Sequence, residues 1–375
     1  MRLLFLCLCC LIFTVSFSQQ QRYYLLVGTY TNGKSEGIYV YNFDATNGKT
    51  ALISQIKANN PSYLAISKDE SFVYAIEDNR NNTSSEAAAY HFDKRTGTLS
   101  FINKQPNNGI GACYITVDKT NKWLFMANYG SGSLSVLPIK KDGSIDAVRQ
   151  FYQHTGSSIN PQRQKEPHVH TAVLSLDEKY LFTTDLGTDK INRYAFDASA
   201  TNPLTPTKDS VTYSTPGNGP RHLTFSPDGK FLYTINELSG NIDAFSVDKE
   251  QLQKLQTAII DTTDNGSTTR ASADIHLSPD GKFLYATNRG AYNTIATYSL
   301  NKADGKLTFI AMQPTGGVMP RNFTIDPTGS YLLIGHQKSD NITIFKRNKQ
   351  TGLLSRIDNT IEVGSPVCLK IIPAN

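Results

Sequence analysis

One segment of the chain occurs twice almost unchanged. Leu223-Thr224-Phe225-Ser226-Pro227-Asp228-Gly229-Lys230-Phe231-Leu232-Tyr233-Thr234-Ile235-Asn236 is matched by Ile275-His276-Leu277-Ser278-Pro279-Asp280-Gly281-Lys282-Phe283-Leu284-Tyr285-Ala286-Thr287-Asn288. Looser copies place Tyr74, Phe125, Phe182 and Leu333 where these have Tyr233 and Tyr285. The unit therefore returns roughly every 50 residues, a period of repeating β-architectures. Each copy is an apolar run, a turn and a second apolar run. Pro and Gly in Ser226-Pro227-Asp228-Gly229 suit the fixed and freed φ values of such a turn. A hairpin brings its ends together, so Arg221, before the first run, and Glu237, after the second, are predicted to sit side by side.

A strand-only unit of this period reads as a propeller blade. Residues 23–30 match a second strand, residues 37–43 a third and residues 51–57 a fourth. Residues 365–373, at the other end, match a first strand. The termini together complete one blade, which with the six internal copies predicts an all-β, seven-bladed β-propeller. Its blades are four-stranded, and the ring is closed by N- and C-terminal strands sharing one blade, which removes two exposed sheet edges. A single domain over residues 19–375 follows, with little helix, since no long amphipathic period is visible.

Residues 1–18 stand apart. Arg2 precedes an apolar run over residues 3–17, and Ser16-Phe17-Ser18 offers small residues before a cut. This pattern predicts a cleavable signal peptide and a secreted or periplasmic protein with no membrane span after cleavage. Cys7, Cys9 and Cys10 lie inside the apolar run without the small residues that precede a lipid-anchored cysteine. Cys113 and Cys368 fall in different repeats and are expected to be free thiols. The net charge of +5 over 375 residues is mild and contains no basic block, so nucleic acid is not an expected partner.

In a propeller the starts of first strands and the ends of second strands open on one face around the central channel. The starts carry Pro61, Ala112, His168, His170, Arg221, Ser272 and Arg321. The second-strand ends carry Glu77, Asp78, Asn128, Asp185, Asn236, Glu237, Asn288, Arg289 and His336. Two long irregular pieces, residues 150–167 and 261–271, lead onto the same face, where a scaffold builds its sites. Converging arginines favour a carboxylate or phosphate, and a His or Glu beside them can move a proton. Arg221 with Glu237 also reads as an ion pair bracing a hairpin, and Arg289 and Arg321 as structural braces. His168 and His170 have the alternation of two zinc ligands, but no third ligand is indicated, so no metal is expected. His222 and His276 read as hydrogen-bonded residues within strands. No nucleophile elbow, phosphate-cradling loop, dinucleotide fingerprint or Cys-x-x-Cys occurs, and no cofactor is expected.

Five motifs in order, Glu166-Pro167-His168-Val169-His170, Gly219-Pro220-Arg221-His222-Leu223, Asn236-Glu237-Leu238-Ser239-Gly240, Asn288-Arg289-Gly290 and Pro320-Arg321-Asn322, resemble the seven-bladed lactonase family. That family includes propeller-type 6-phosphogluconolactonases and the 3-carboxymuconate lactonizing enzyme. The resemblance spans the mature chain and implies a site of His170, Arg221, Glu237 and Arg289, with no choice between His170 and Glu237 as base. Arg321, His168, Asn236 and Asp185 are expected as substrate contacts. It implies hydrolysis of a small anionic sugar lactone. The alternatives are a cycloisomerase closing a lactone, or a non-catalytic propeller binding an anionic carbohydrate or a protein.

Overall fold

The computed structural model describes residues 21–78, 83–248, 251–260 and 271–374. The predicted signal peptide lies outside the described residues, as does all but the last residue of the 261–271 segment. Among the described residues there are twenty-eight strands and no helix, in seven four-stranded antiparallel sheets. No described helix is therefore long and apolar enough to cross a membrane.

The sheets are the predicted blades. Blade 1 pairs Pro366–Pro373 with Arg22–Thr29, followed by Gly37–Asp44 and Lys49–Lys57. Tyr23 faces Pro373 and Val27 faces Leu369, so the two ends of the chain share this sheet. Blades 2 to 7 begin at Leu64–Ile66, Ala112–Val117, Val169–Leu174, Pro220–Phe225, Ser272–Leu277 and Pro320–Ile325. Each first strand packs beside the first strand of the next blade, including the last onto blade 1, so these seven strands ring the axis. One expectation changes. The first four residues of the 150–167 piece, Gln150–Gln153, are not irregular but form the outer strand of blade 3.

The repeated turn is held the same way in blades 2, 4, 5 and 6. In blade 5, Ser226 Oγ donates to Asp228 Oδ1 at 2.7 Å and accepts from Phe231 N at 2.9 Å. Blades 2, 4 and 6 repeat this with Ser67, Ser175 and Ser278. Blades 3 and 7 put a carboxylate in the serine's place. Asp118 accepts from Trp123 N and Asp326 from Tyr331 N.

The core lies between blades. Tyr233 of blade 5 is fully buried and donates its hydroxyl to Gly305 O in a turn of blade 6, at 2.8 Å. Tyr285 of blade 6 does the same to Gly352 O of blade 7, at 2.7 Å. Tyrosine suits this place because its ring fills the gap between sheets and its hydroxyl finds an acceptor in the neighbouring turn. Cys368 is buried and Cys113 half-buried, and both are free.

Candidate functional site

The first strands do not run straight into the channel mouth. In blade 4 the pairing with the second strand jumps from Val169 to Thr171, in blade 5 from Pro220 to His222, and in blade 7 from Pro320 to Asn322. The residues skipped are His170, Arg221 and Arg321. Blade 3 skips Cys113 in the same way, and blade 6 skips Ala273 and Asp274. A β-bulge leaves one residue out of the ladder and re-aims its side chain. Of the side chains taken out of the ladder in this way, Cys113, His170 and Arg321 reach the pocket lining.

The result is a pocket of about 430 Å³ at that mouth, whose lining includes His170, Glu237, Arg163, Arg289, Arg321 and Tyr129. Glu237 organises it. Its Oε1 accepts from Arg163 Nη2 at 2.7 Å, and its Oε2 from Arg221 Nε at 3.0 Å and Arg289 Nη2 at 2.8 Å. Burial raises a carboxyl group's pKa, but Arg289, Arg221 and Arg163 overcome it and hold Glu237 far below the usual carboxylate range. Both of its oxygens are engaged by guanidinium groups.

The guanidiniums differ in what remains free. Arg221 is 1% exposed and lies behind Glu237, not on the pocket wall. Burial and the neighbouring Arg289 and Arg321 pull its pKa down. Arg289 commits Nε to Ala271 O and Nη2 to Glu237 and Ser272 O, leaving Nη1 without a hydrogen bond among the described residues. Arg163 bridges Glu237 and the Tyr129 hydroxyl. Arg321, half-buried, makes no hydrogen bond or ion pair with a described residue. Its guanidinium lies 5.6 Å from the Tyr30 ring centroid.

His170 is 4% exposed, and its buried Nδ1 has no hydrogen-bond partner among the described residues. Burial first, then Arg221, His222 and Arg321, push its pKa well below that of a free imidazole. The ring is thereby held neutral. The Cys113 thiol also lines the pocket, but burial pushes it up to about 12, which keeps it protonated and unreactive.

Of the eight residues singled out from the sequence, the structure brings His170, Glu237, Arg289 and Arg321 together on the pocket wall, with Arg221 behind. His168, Asn236 and Asp185 are not part of the lining. The His168 ring stacks on Tyr129 at 4.3 Å and donates from Nδ1 to Tyr129 O. Asp185 accepts from His168 N at 2.8 Å and pairs with His154 at 2.9 Å. Asn236 donates to Asp243 at 3.0 Å. Arg163 and Tyr129 were not singled out. Arg163 sits in the long irregular piece, and Tyr129 directly follows Asn128, so the loop and the strand end were the only signals for them. Among the described residues no group of three or more His, Cys, Asp or Glu side chains converges as metal ligands.

Fold and pocket together define a seven-bladed propeller of the lactonase type. The family model described as "Lactonase, 7-bladed beta-propeller" matches residues 24–371. The chain belongs to that family. A relative from Formosa agariphila named 6-phosphogluconolactonase is 36% identical, over 92% of this chain and 99% of its own length. The crystal structure of a proposed 6-phosphogluconolactonase from Bacteroides fragilis is 39% identical, with a TM-score of 0.90 over 95% of this chain and 99% of that one. The periplasmic gluconolactonase of Pseudomonas aeruginosa is 36% identical, with a TM-score of 0.89 over 94% of this chain and all of that one.

Proposed function

We propose that this protein is an exported lactonase that opens a sugar lactone bearing an anionic group, with His170 as the base. The observation that carries this is the buried, neutral His170, its Nδ1 unpartnered, on the same pocket wall as Arg321, a guanidinium with no acidic partner among the described residues. Water attacks the ester carbonyl carbon as His170 takes its proton. The oxygen of the tetrahedral intermediate draws on an N–H of Arg289, whose Nη1 is uncommitted. The C–O bond to the ring oxygen then breaks, and the proton returns from His170 to the departing oxygen. Lactone plus water gives a hydroxy acid, which ionises and releases acid. Arg321 grips the anionic substituent by forked hydrogen bonds. Glu237 holds Arg163, Arg221 and Arg289 in place and prevents their mutual repulsion from opening the pocket. The relatives' names, one phosphorylated and one plain gluconolactone, frame the substrate choice, and export favours a lactone charged by a group other than a phosphate of central metabolism.

The test is acid release followed by pH-stat on phosphorylated, carboxylated and plain sugar lactones, with spontaneous hydrolysis subtracted. Wild type is expected to prefer the anionic lactones, and Arg321→Ala to raise KM for them by roughly ten- to a hundredfold, the loss of one charge-assisted contact. Equal turnover of plain and anionic lactones, unchanged in Arg321→Ala, would remove the anionic specificity. No turnover of any lactone would leave the cycloisomerase or binding reading.

A further inference from the structure

Beneath the pocket, three inner strands carry a hydrogen-bond chain that the steps above do not use. Asp274, displaced by the blade 6 bulge, is 1% exposed. Its Oδ1 lies 2.7 Å from His222 Nδ1 and accepts from Ile275 N at 3.1 Å. Its Oδ2 accepts from Phe323 N at 3.1 Å and from Asn322 Nδ2, and lies 3.0 Å from His276 Nε2. On its other side, His222 Nε2 lies 3.2 Å from Arg221 Nη1, and Arg221 Nε donates to Glu237.

The protonation pattern follows from what each group has to offer. An ionised carboxylate only accepts, so His222 Nδ1 carries the proton. A guanidinium only donates, so Nε2 presents its lone pair. The burial that keeps the His222 pKa low, at about 3, favours this neutral ring. The opposite tautomer would set an N–H of His222 against an N–H of Arg221 and leave Nη1 held by Ala273 O alone, to which it donates at 2.5 Å.

We propose that Asp274 is a positioning residue of the site: by fixing His222 in its Nδ1–H form it makes Nε2 an acceptor for Arg221 and so aims the Arg221 Nε–H at Glu237. The bland alternative is that Asp274 only pins blades 5, 6 and 7 together through His222, its own strand and Asn322.

Two measurements decide. The first is the nitrogen NMR spectrum of the full chain labelled on histidine, with the His222 signals assigned by their loss in His222→Gln. A neutral ring with a protonated Nδ1 and a bare Nε2 at pH 7 is expected. A protonated Nε2, in either the neutral or the charged ring, overturns the proposal. The second is a double-mutant cycle on kcat for the best lactone, and this arm alone rests on the lactonase reading. Asp274→Asn is expected to lower kcat about tenfold or more in the wild-type background but less than about threefold in Arg221→Lys, since coupled neighbours are non-additive. Equal losses in both backgrounds would mean Asp274 acts independently of Arg221 and would overturn it. Should Asp274→Asn fail to fold, or should no lactone be turned over, the tautomer of the wild-type ring still decides. In the latter case the lactonase reading falls by itself.

Discussion

Burial, Arg221, His222 and Arg321 keep the His170 ring neutral well below 6.5, the pKa of an unperturbed imidazole. Two expectations follow at the scale of this residue. kcat/KM is expected to stay level as pH falls through 6.5, with its acid limb appearing only at lower pH. His170→Ala is expected to lose about 10²–10⁴ in kcat, the range for a general base, with the melting curve little changed. Stability has the same direction. Below 6.5 the unfolded chain protonates this histidine and the folded chain does not, so this group makes folding weaken as pH falls. Glu237 adds to the slope at lower pH. Its folded pKa is depressed, so its contribution is complete above 4.5, its ordinary value, and is lost as pH falls below it. Glu237→Gln leaves Arg163, Arg221 and Arg289 uncompensated and is expected to cost about 3–5 kcal/mol in urea titrations at pH 7, the penalty for breaking a buried ion pair. That loss shrinks in acid. Residues at strand ends were legible because the repeat fixes where strand ends fall. Arg163 was not, because it reaches Glu237 from an irregular loop whose path no periodicity encodes. His222 was legible as a hydrogen-bonded strand residue, but its partner Asp274 lies one blade away in a different strand.

Short apolar runs, buried along their whole length in Trp123–Asn128, Phe231–Asn236 and Phe283–Asn288, made the inner strands readable, and the turn sequence placed their boundaries. The bulges were not readable. A one-residue slip leaves the composition of a strand intact while changing which side chain it offers to the channel. Thus His168 and His170, two residues apart, read as neighbours on one face. The ladder instead breaks between Val169 and Thr171, and only His170 reaches the pocket lining. The third-to-fourth-strand turns give an element-scale prediction. Gly305 has φ +73°, and a Cβ there would stand 2.3 Å from Phe231 Cδ1 of the preceding blade. Gly305→Ala is expected to destabilise by about 1–3 kcal/mol through overpacking, with the left-handed backbone adding to it, while kcat of the folded fraction holds. Urea titration beside the pH-stat assay reads both.

For the whole molecule, the ring means that no blade is independent. Leu25 and Val27 of blade 1 pack with Leu333, Ile342 and Ile344 of blade 7 in one cluster, and Leu369 of the C-terminal strand joins them. Deleting residues 366–375 is expected to abolish cooperative unfolding and lactone turnover together, as read by melting and by pH-stat. A truncated chain with a normal melt would show that six complete blades suffice.

The strand that completes the first blade, Pro366–Pro373, is also the last described strand in sequence order, more than three hundred residues after the strand it pairs with. Until it pairs, Arg22–Thr29 presents an open edge, the kind that recruits other chains. Closure of the ring therefore waits for this one strand, whatever has folded before it. A chain broken short of residue 366 keeps that edge open, and is expected to associate with other copies and not to stay monomeric.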